Sequence, residues 1–457
     1  MARKRKERDS LGEVWVPADA LYGAQTQRAI DNFPVSGQPM PEAFIRSLLD
    51  VKAAAAKANG EVGALPKLMV ASIVSACDKL LESASLMQHF PVDVFQTGSG
   101  TSTNMNANEV IAELASGILS STVNPNDHVN CSQSSNDVIP TTIHVSVARE
   151  INSQLLPALA HLVEVIDQKG KTVKQYCKTG RTHLMDAMPV TMAQSLSGWS
   201  AQVRQNSENL TQRMPNLLQL AQGGTAVGTG VNADPDFAAS FCRFLNERTK
   251  LQFLPASNRY ALISSQNTAI ELSGELKAIA VSILKIANDL RWMNSGPLAG
   301  LGEITLESLQ PGSSIMPGKV NPVIPEAAAM AAAQVIGNDT AITIGGQSGN
   351  FELNVMLPMI ARNLLESITL LSNSARLLAD KAIAGFTVNE QRLQESLHRN
   401  PVLVTALNPI IGYEMAAKIA KQAYKDGRPI IEVALEKTDL SREQLERLLD
   451  PRRLTGD

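Results

Sequence analysis

From Ala269 onward, apolar residues fall at Ala269, Leu272, Leu276, Ile279, Ile283, Ile286, Leu290 and Met293, in alternating steps of three and four. That spacing puts all of them on one stripe of a long helix, and Gly296-Pro297 marks its end. A similar pattern passes through Leu155, Leu159, Leu162, Ile166, Val173 and Tyr176, and a third occupies Leu353 to Leu378 through Leu357, Ile360, Leu364 and Leu371. Helices of roughly 35–40 Å with narrow apolar stripes predict an elongated bundle. Hydrophobic residues make up 44% of the chain but aromatics only 4%. Aliphatic side chains must therefore fill the interior, which favours closely packed helices over a β-sandwich. The Ala-rich run from Glu326 to Val335 lets neighbours approach on more than one side, so the bundle is expected to bury its outer face against other subunits. The predicted fold is mainly α, with a mixed, mostly helical region over 1–133, a central long-helix bundle over 134–390 and a small helical region over 391–457.

The formal net charge of -3 provides no electrostatic case for binding nucleic acid or an anionic membrane. The opening Met-Ala-Arg-Lys-Arg-Lys-Glu-Arg is basic, but no apolar segment follows it, so it reads as a solvated, poorly ordered tail. Val14-Trp15-Val16-Pro17 reads as a short edge strand. No apolar stretch reaches the ~20 residues that cross a bilayer. Cys77, Cys131, Cys177 and Cys242 lie dozens of residues apart without a CxxC pair, and the six histidines include no HExxH. Thiols in a reducing cytoplasm and no metal are expected.

Four short polar segments stand out from the aliphatic background. Gly312-Ser-Ser-Ile-Met-Pro-Gly-Lys-Val-Asn-Pro322 combines glycines, prolines, two adjacent hydroxyls, an ammonium and an amide. It must be a loop of restricted shape, suited to closing over an anionic ligand. Thr97-Gly-Ser-Gly-Thr-Ser-Thr-Asn104 precedes an apolar-periodic run, Met105 to Leu119, and Ser134-Ser135-Asn136-Asp137 precedes another helix. Each either binds an anion at a helix start or simply caps the helix. Gly180-Arg181-Thr182-His183 lies between two heptad helices, where ends of antiparallel helices meet. His183 there is either catalytic or a satisfied structural histidine.

Together these strings resemble the class II, iron-independent fumarases of the fumarase/aspartase superfamily. The likeness lies in GSSIMPGKVNP, TGSGTSTNMNANEVI, NPNDHVNCSQSSNDVIPT, GRTHLMDA and GGTAVGTG, and extends from Asp9 to Leu407. The resemblance implies reversible anti hydration of fumarate to L-malate through an aci-carboxylate intermediate, a place in the tricarboxylic acid cycle, and no cofactor. It also implies a cytoplasmic homotetramer whose active sites are shared between subunits.

By the same resemblance Ser313 is the base, its alkoxide stabilised by loop N–H groups and Lys319. Lys319 and Asn321 hold a substrate carboxylate, while Ser99, Thr101, Ser134, Ser135, Asn136 and Thr182 fix the rest of the dicarboxylate. His183 is the second acid/base, with Glu326 as its expected partner. Glu326 also suits a helix N-terminus on charge alone. Asn124 stands where many fumarases have a histidine associated with a second dicarboxylate site, so such a site is not expected. Ala193-Gln194-Ser195 replaces the family's Gly-Gln-Glu. The alternatives are aspartate ammonia-lyase, which Ser134-Ser135-Asn136 disfavours, and an inactive helical scaffold.

Overall fold

Every residue of the leading stripe, Ala269 to Met293, is buried, none more than 5% exposed, on a single helix Asn267–Met293. The computed structural model describes residues 3–456. Among them are seventeen α-helices and only short two-stranded sheets, so the mainly α fold expected from periodicity is what forms. Other long helices are Met192–Leu217, Val323–Gly346 and Leu357–Leu378. The Leu155–Tyr176 stripe lies on Leu156–Val173, which continues without a break from Ser135–Glu150 through a single wide turn, Ile151–Leu155. Among the described residues no helix is long and apolar enough to cross a membrane.

Two expectations need correction. The basic N-terminal run is not a loose tail: Lys4–Asp9 is a strand paired antiparallel with Gly12–Pro17, in register from Lys4↔Pro17 to Asp9↔Gly12. Lys6 Nζ is matched across the hairpin, 2.8 Å from Glu13, and Asp9 accepts from Arg28 of the following helix, Ala24–Asn32, at 2.7 Å. These ion pairs and burial of Val16 offset the low strand propensity of the charged run. Met1 and Ala2 lie outside the described residues. The third stripe also begins later than periodicity suggests. Leu353 sits in a two-residue strand with Asn354, and the helix starts at Leu357 because Asn354 Oδ1 takes the Met356 N–H at 2.9 Å.

The chain divides into two compact units. The first runs through Pro157 and adds Glu208–Ala280 and Ala333–Ser372. Within it an ion cluster joins four helices: Asp50 is held by Arg149 at 2.6 Å and Arg248 at 2.7 Å, and Arg248 also reaches Asp78 at 2.7 Å. The second comprises Ala158–Ser207, Val281–Ala332 and the chain from Asn373. Its C-terminal helices Tyr413–Asp426, Ile430–Lys437 and Arg442–Leu448 close over a small core that includes Leu407, Ile419, Val433 and Leu445. Ser441 and Gln444 cap the last of these helices reciprocally.

Candidate active site

In the first unit, the helix Thr101–Leu119 starts after Gly100, whose φ is 73°. No serine or threonine side chain of the turn caps the helix. Gln96 Oε1 accepts both the Thr103 N–H and the Thr103 hydroxyl at 2.9 Å. That leaves the Ser99 and Thr101 hydroxyls bonded to each other at 2.7 Å. The turn is pinned by Gly98, whose carbonyl accepts the Leu357 N–H at 3.0 Å. A Cβ on Gly98 would sit 1.8 Å from Val355 O, so only glycine permits this contact. Gly98→Ala is expected to destabilise the protein by about 1–3 kcal/mol through overpacking and to raise KM by displacing Ser99 and Thr101. Thermal melting and steady-state kinetics check this.

Ser134 does cap its helix. Its Oγ takes the Asn136 N–H at 3.2 Å, and Asp137 Oδ1 takes the Ser134 N–H at 2.9 Å. Asp137 is buried and also accepts from Gly223 N at 3.0 Å, Thr225 N at 2.9 Å and Gln222 Nε2 at 3.2 Å. Burial pushes its carboxyl up to about 6, still low enough, with four N–H donors, to be ionised at neutral pH. Asn136 Nδ2 donates to Ala226 O at 2.8 Å, and Ser135 Oγ accepts from Asn104 Nδ2 at 3.1 Å. Ser134 and Ser135 line a cavity of about 350 Å³ together with Asn104, Asn130 and Gln133. Asn124 Oδ1 is committed to the N–H groups of Asn126 and Asp127.

In the second unit, residues 312–321 close into a ring. The Gly312 N–H donates to Lys319 O at 2.9 Å and Asn321 Nδ2 to Gly312 O at 2.6 Å. A Cβ on Gly312 would lie 2.2 Å from Lys319 O. Inside the ring Ser313 Oγ accepts the Ile315 N–H at 3.3 Å and the Met316 N–H at 3.1 Å. Two N–H dipoles aimed at one hydroxyl oxygen favour its deprotonated form. Lys319, Asn321 and Glu326 border one cavity of about 980 Å³, with Glu326 in the first turn of Val323–Gly346.

Thr182 and His183 are placed differently from the sequence expectation of a plain interhelical turn. Cys177–Thr182 and Met185–Thr191 form a hairpin with Thr182 opposite Met185. His183 and Leu184 are its two-residue tip, with φ of 57° and 59°. Such turns favour Asn-Gly, and holding His-Leu there costs about 1–3 kcal/mol per residue, a strain typical of functional positions. The hairpin is anchored by buried Glu303, which binds Lys178 Nζ at 3.1 Å and the Arg181 guanidinium, and by Asn400 Nδ2 on Ala187 O at 2.9 Å. Within the single chain, no hydrogen bond or ion pair joins His183 to Glu326 among the described residues. Sequence reasoning placed Asn104 and Asp137 within the polar segments but gave them no part in the site, and it missed Asn130, whose only signal was polar character at a position that a turn would bury.

A family model described as Lyase matches residues 12–337, and one described as Fumarase C C-terminus matches residues 403–456. The chain is 67% identical to "Fumarate hydratase class II 2" of Pseudomonas aeruginosa, over 100% of this chain and 99% of that protein. The chain belongs to the class II fumarate hydratase family. Another family member, from Xylella fastidiosa, is 56% identical over 99% of this chain and 96% of its own. The crystal structure of a class II fumarase from Schistosoma mansoni superposes with a TM-score of 0.96 at 37% identity, covering 99% of each chain. These relatives give the aspartate ammonia-lyase alternative no support. The two residue sets described above, the Thr97–Asn104 and Ser134–Asn136 segments and the Thr182–His183 and 312–326 segments, are thus this class II fumarate hydratase family member's candidate catalytic parts.

Proposed function

We propose that the chain is a fumarate hydratase, adding water reversibly and anti across fumarate to give L-malate. The observation that carries this is Ser313, a hydroxyl cradled by two N–H donors in a closed ring that also bears Lys319 and Asn321. In the malate direction Ser313 removes the C3 proton as general base. The aci-carboxylate charge that develops is met by the Lys319 ammonium and by the second amide N–H of Asn321, its first being spent on the ring. Ser99, Thr101, Ser134, Ser135, Asn136 and Thr182 hold the other polar groups of the dicarboxylate. His183 protonates the departing hydroxyl, and Glu326 orients its ring. Fumarate absorbance distinguishes the outcomes: growth with malate and none with aspartate supports the hydratase, and the reverse overturns it.

We further propose a cytoplasmic homotetramer, built on the long helices with domain limits 1–133, 134–390 and 391–457, in which one site draws its segments from different subunits. Exposed apolar side chains on the Ala-rich helix, Met330 at 69% and Ile344 at 53%, support an interface there. Ser313→Ala and His183→Asn proteins, each inactive alone, are expected to recover up to roughly a quarter of wild-type activity when co-refolded, the chance that a shared site draws both intact groups at random. No recovery would place both groups in one subunit.

A further inference from the structure

Lys52 stands alone between Val51 and a run of four alanines on the helix Glu42–Glu61, and it is 0% exposed. No carboxylate forms an ion pair with it among the described residues. Burying an ammonium with no carboxylate in direct contact costs several kcal/mol, and a site that needed only packing would be better filled by Met or Leu. The amine instead donates to Asn130 Oδ1 and Gln133 Oε1, both at 3.0 Å. Asn130 Oδ1 also accepts from Asn104 Nδ2 at 3.1 Å and Asn108 Nδ2 at 3.2 Å. Asn104 Nδ2 in turn holds Ser135 Oγ at 3.1 Å. Asn59, from the same helix as Lys52, fixes the Cys131 carbonyl at 2.9 Å. A continuous polar chain thus leads from the buried amine to the hydroxyl at the floor of the 350 Å³ cavity.

We propose that Lys52 is a positioning residue of the dicarboxylate site, fixing the 130–136 segment through Asn130 and Gln133 and placing a positive charge behind it. This rests on the hydratase reading above. The remaining charged groups around Lys52 do not compete for the role. Asp50, Arg149, Arg248 and Asp78 neutralise one another in their own cluster. Burial pushes the Cys77 thiol up to about 12, so it is neutral. Asp137 is occupied by four N–H donors, and its charge works against the burial that pulls the Lys52 amine down to about 7. A dianion in the cavity stabilises the ammonium further. Ligand therefore binds best while Lys52 is protonated, and affinity falls as pH rises through the amine's range.

Lys52→Met is expected to raise KM for malate by about tenfold or more, the loss of charge-assisted hydrogen bonds, with kcat changed less than about threefold. Calorimetric titration with succinate, an unreactive dianion, is the second readout between pH 6.5 and 9. The wild type and His183→Asn should both show affinity weakening toward alkaline pH, and Lys52→Met should lose that limb. Wild-type KM and an unaltered limb in Lys52→Met overturn the inference while leaving the hydratase intact. Failure of the wild type to convert malate overturns the hydratase, and the succinate titration is read independently of turnover. If Lys52→Met does not fold, Gln133→Leu decides. Removing one acceptor from the amine should move the limb to lower pH, and an unmoved limb overturns the inference.

Discussion

Ser313→Ala is expected to lower kcat by about 10³-fold, in the middle of the range for loss of a general base and equal to about 4 kcal/mol of barrier. The substitution removes one oxygen and little else. The ring is closed by the Gly312–Lys319 backbone bond and by Asn321, neither of which involves the Ser313 side chain. The N–H groups of Ile315 and Met316 lie in an exposed stretch and can turn to solvent. KM and the melting temperature should therefore stay near wild type, so a low kcat reports lost chemistry rather than lost structure. Malate dehydration followed by fumarate absorbance measures it. A fall of less than tenfold would assign the proton to another group.

His183→Asn is expected to reduce kcat by about 10²-fold or more with KM within about threefold. Asparagine is the apt replacement because His183 occupies the left-handed region, at φ 57°, which asparagine tolerates better than most residues. The hairpin should survive or gain stability, while the acid/base group is gone. An unfolded or KM-defective protein would mean that His183 serves the turn, and near-normal turnover would remove it from the mechanism.

The long helices were legible because a stripe such as Ala269 to Met293 is a local property: seven spacings suffice to specify which face is buried. The two strands around His183 were not. Lys178, Thr179, Gly180 and Arg181 show no β-branched alternation, and the His-Leu tip carries none of the glycine or asparagine that announces a tight turn. The Lys4–Asp9 strand was misread for a related reason, since Lys6 and Asp9 are stabilised by partners seven and nineteen residues away, Glu13 and Arg28. In the candidate site each polar segment could be recognised by itself, and the capping of Ser134 by Asp137 follows from their spacing. That Gln96, and not Ser99 or Thr101, caps the Thr101–Leu119 helix could not be read, because the capping side chain lies outside the motif. Lys52 was invisible as well. One lysine in an apolar helix usually lets its ammonium reach water, and only the packing of neighbouring helices prevents it here.

The ring formed by residues 312–321 has one more consequence. Its shape is maintained from within, by the Gly312–Lys319 backbone bond and the Asn321 amide, and the prolines that flank it, Pro311 and Pro322, hold φ at about −65°. The serine is therefore presented before any ligand arrives, without the ~1–2 kcal/mol per residue involved in ordering a floppy loop. The side chains of Ile315 and Met316, 83% and 49% exposed on its rim, take no part in those bonds, so their size can be varied by an engineer without touching the groups inside.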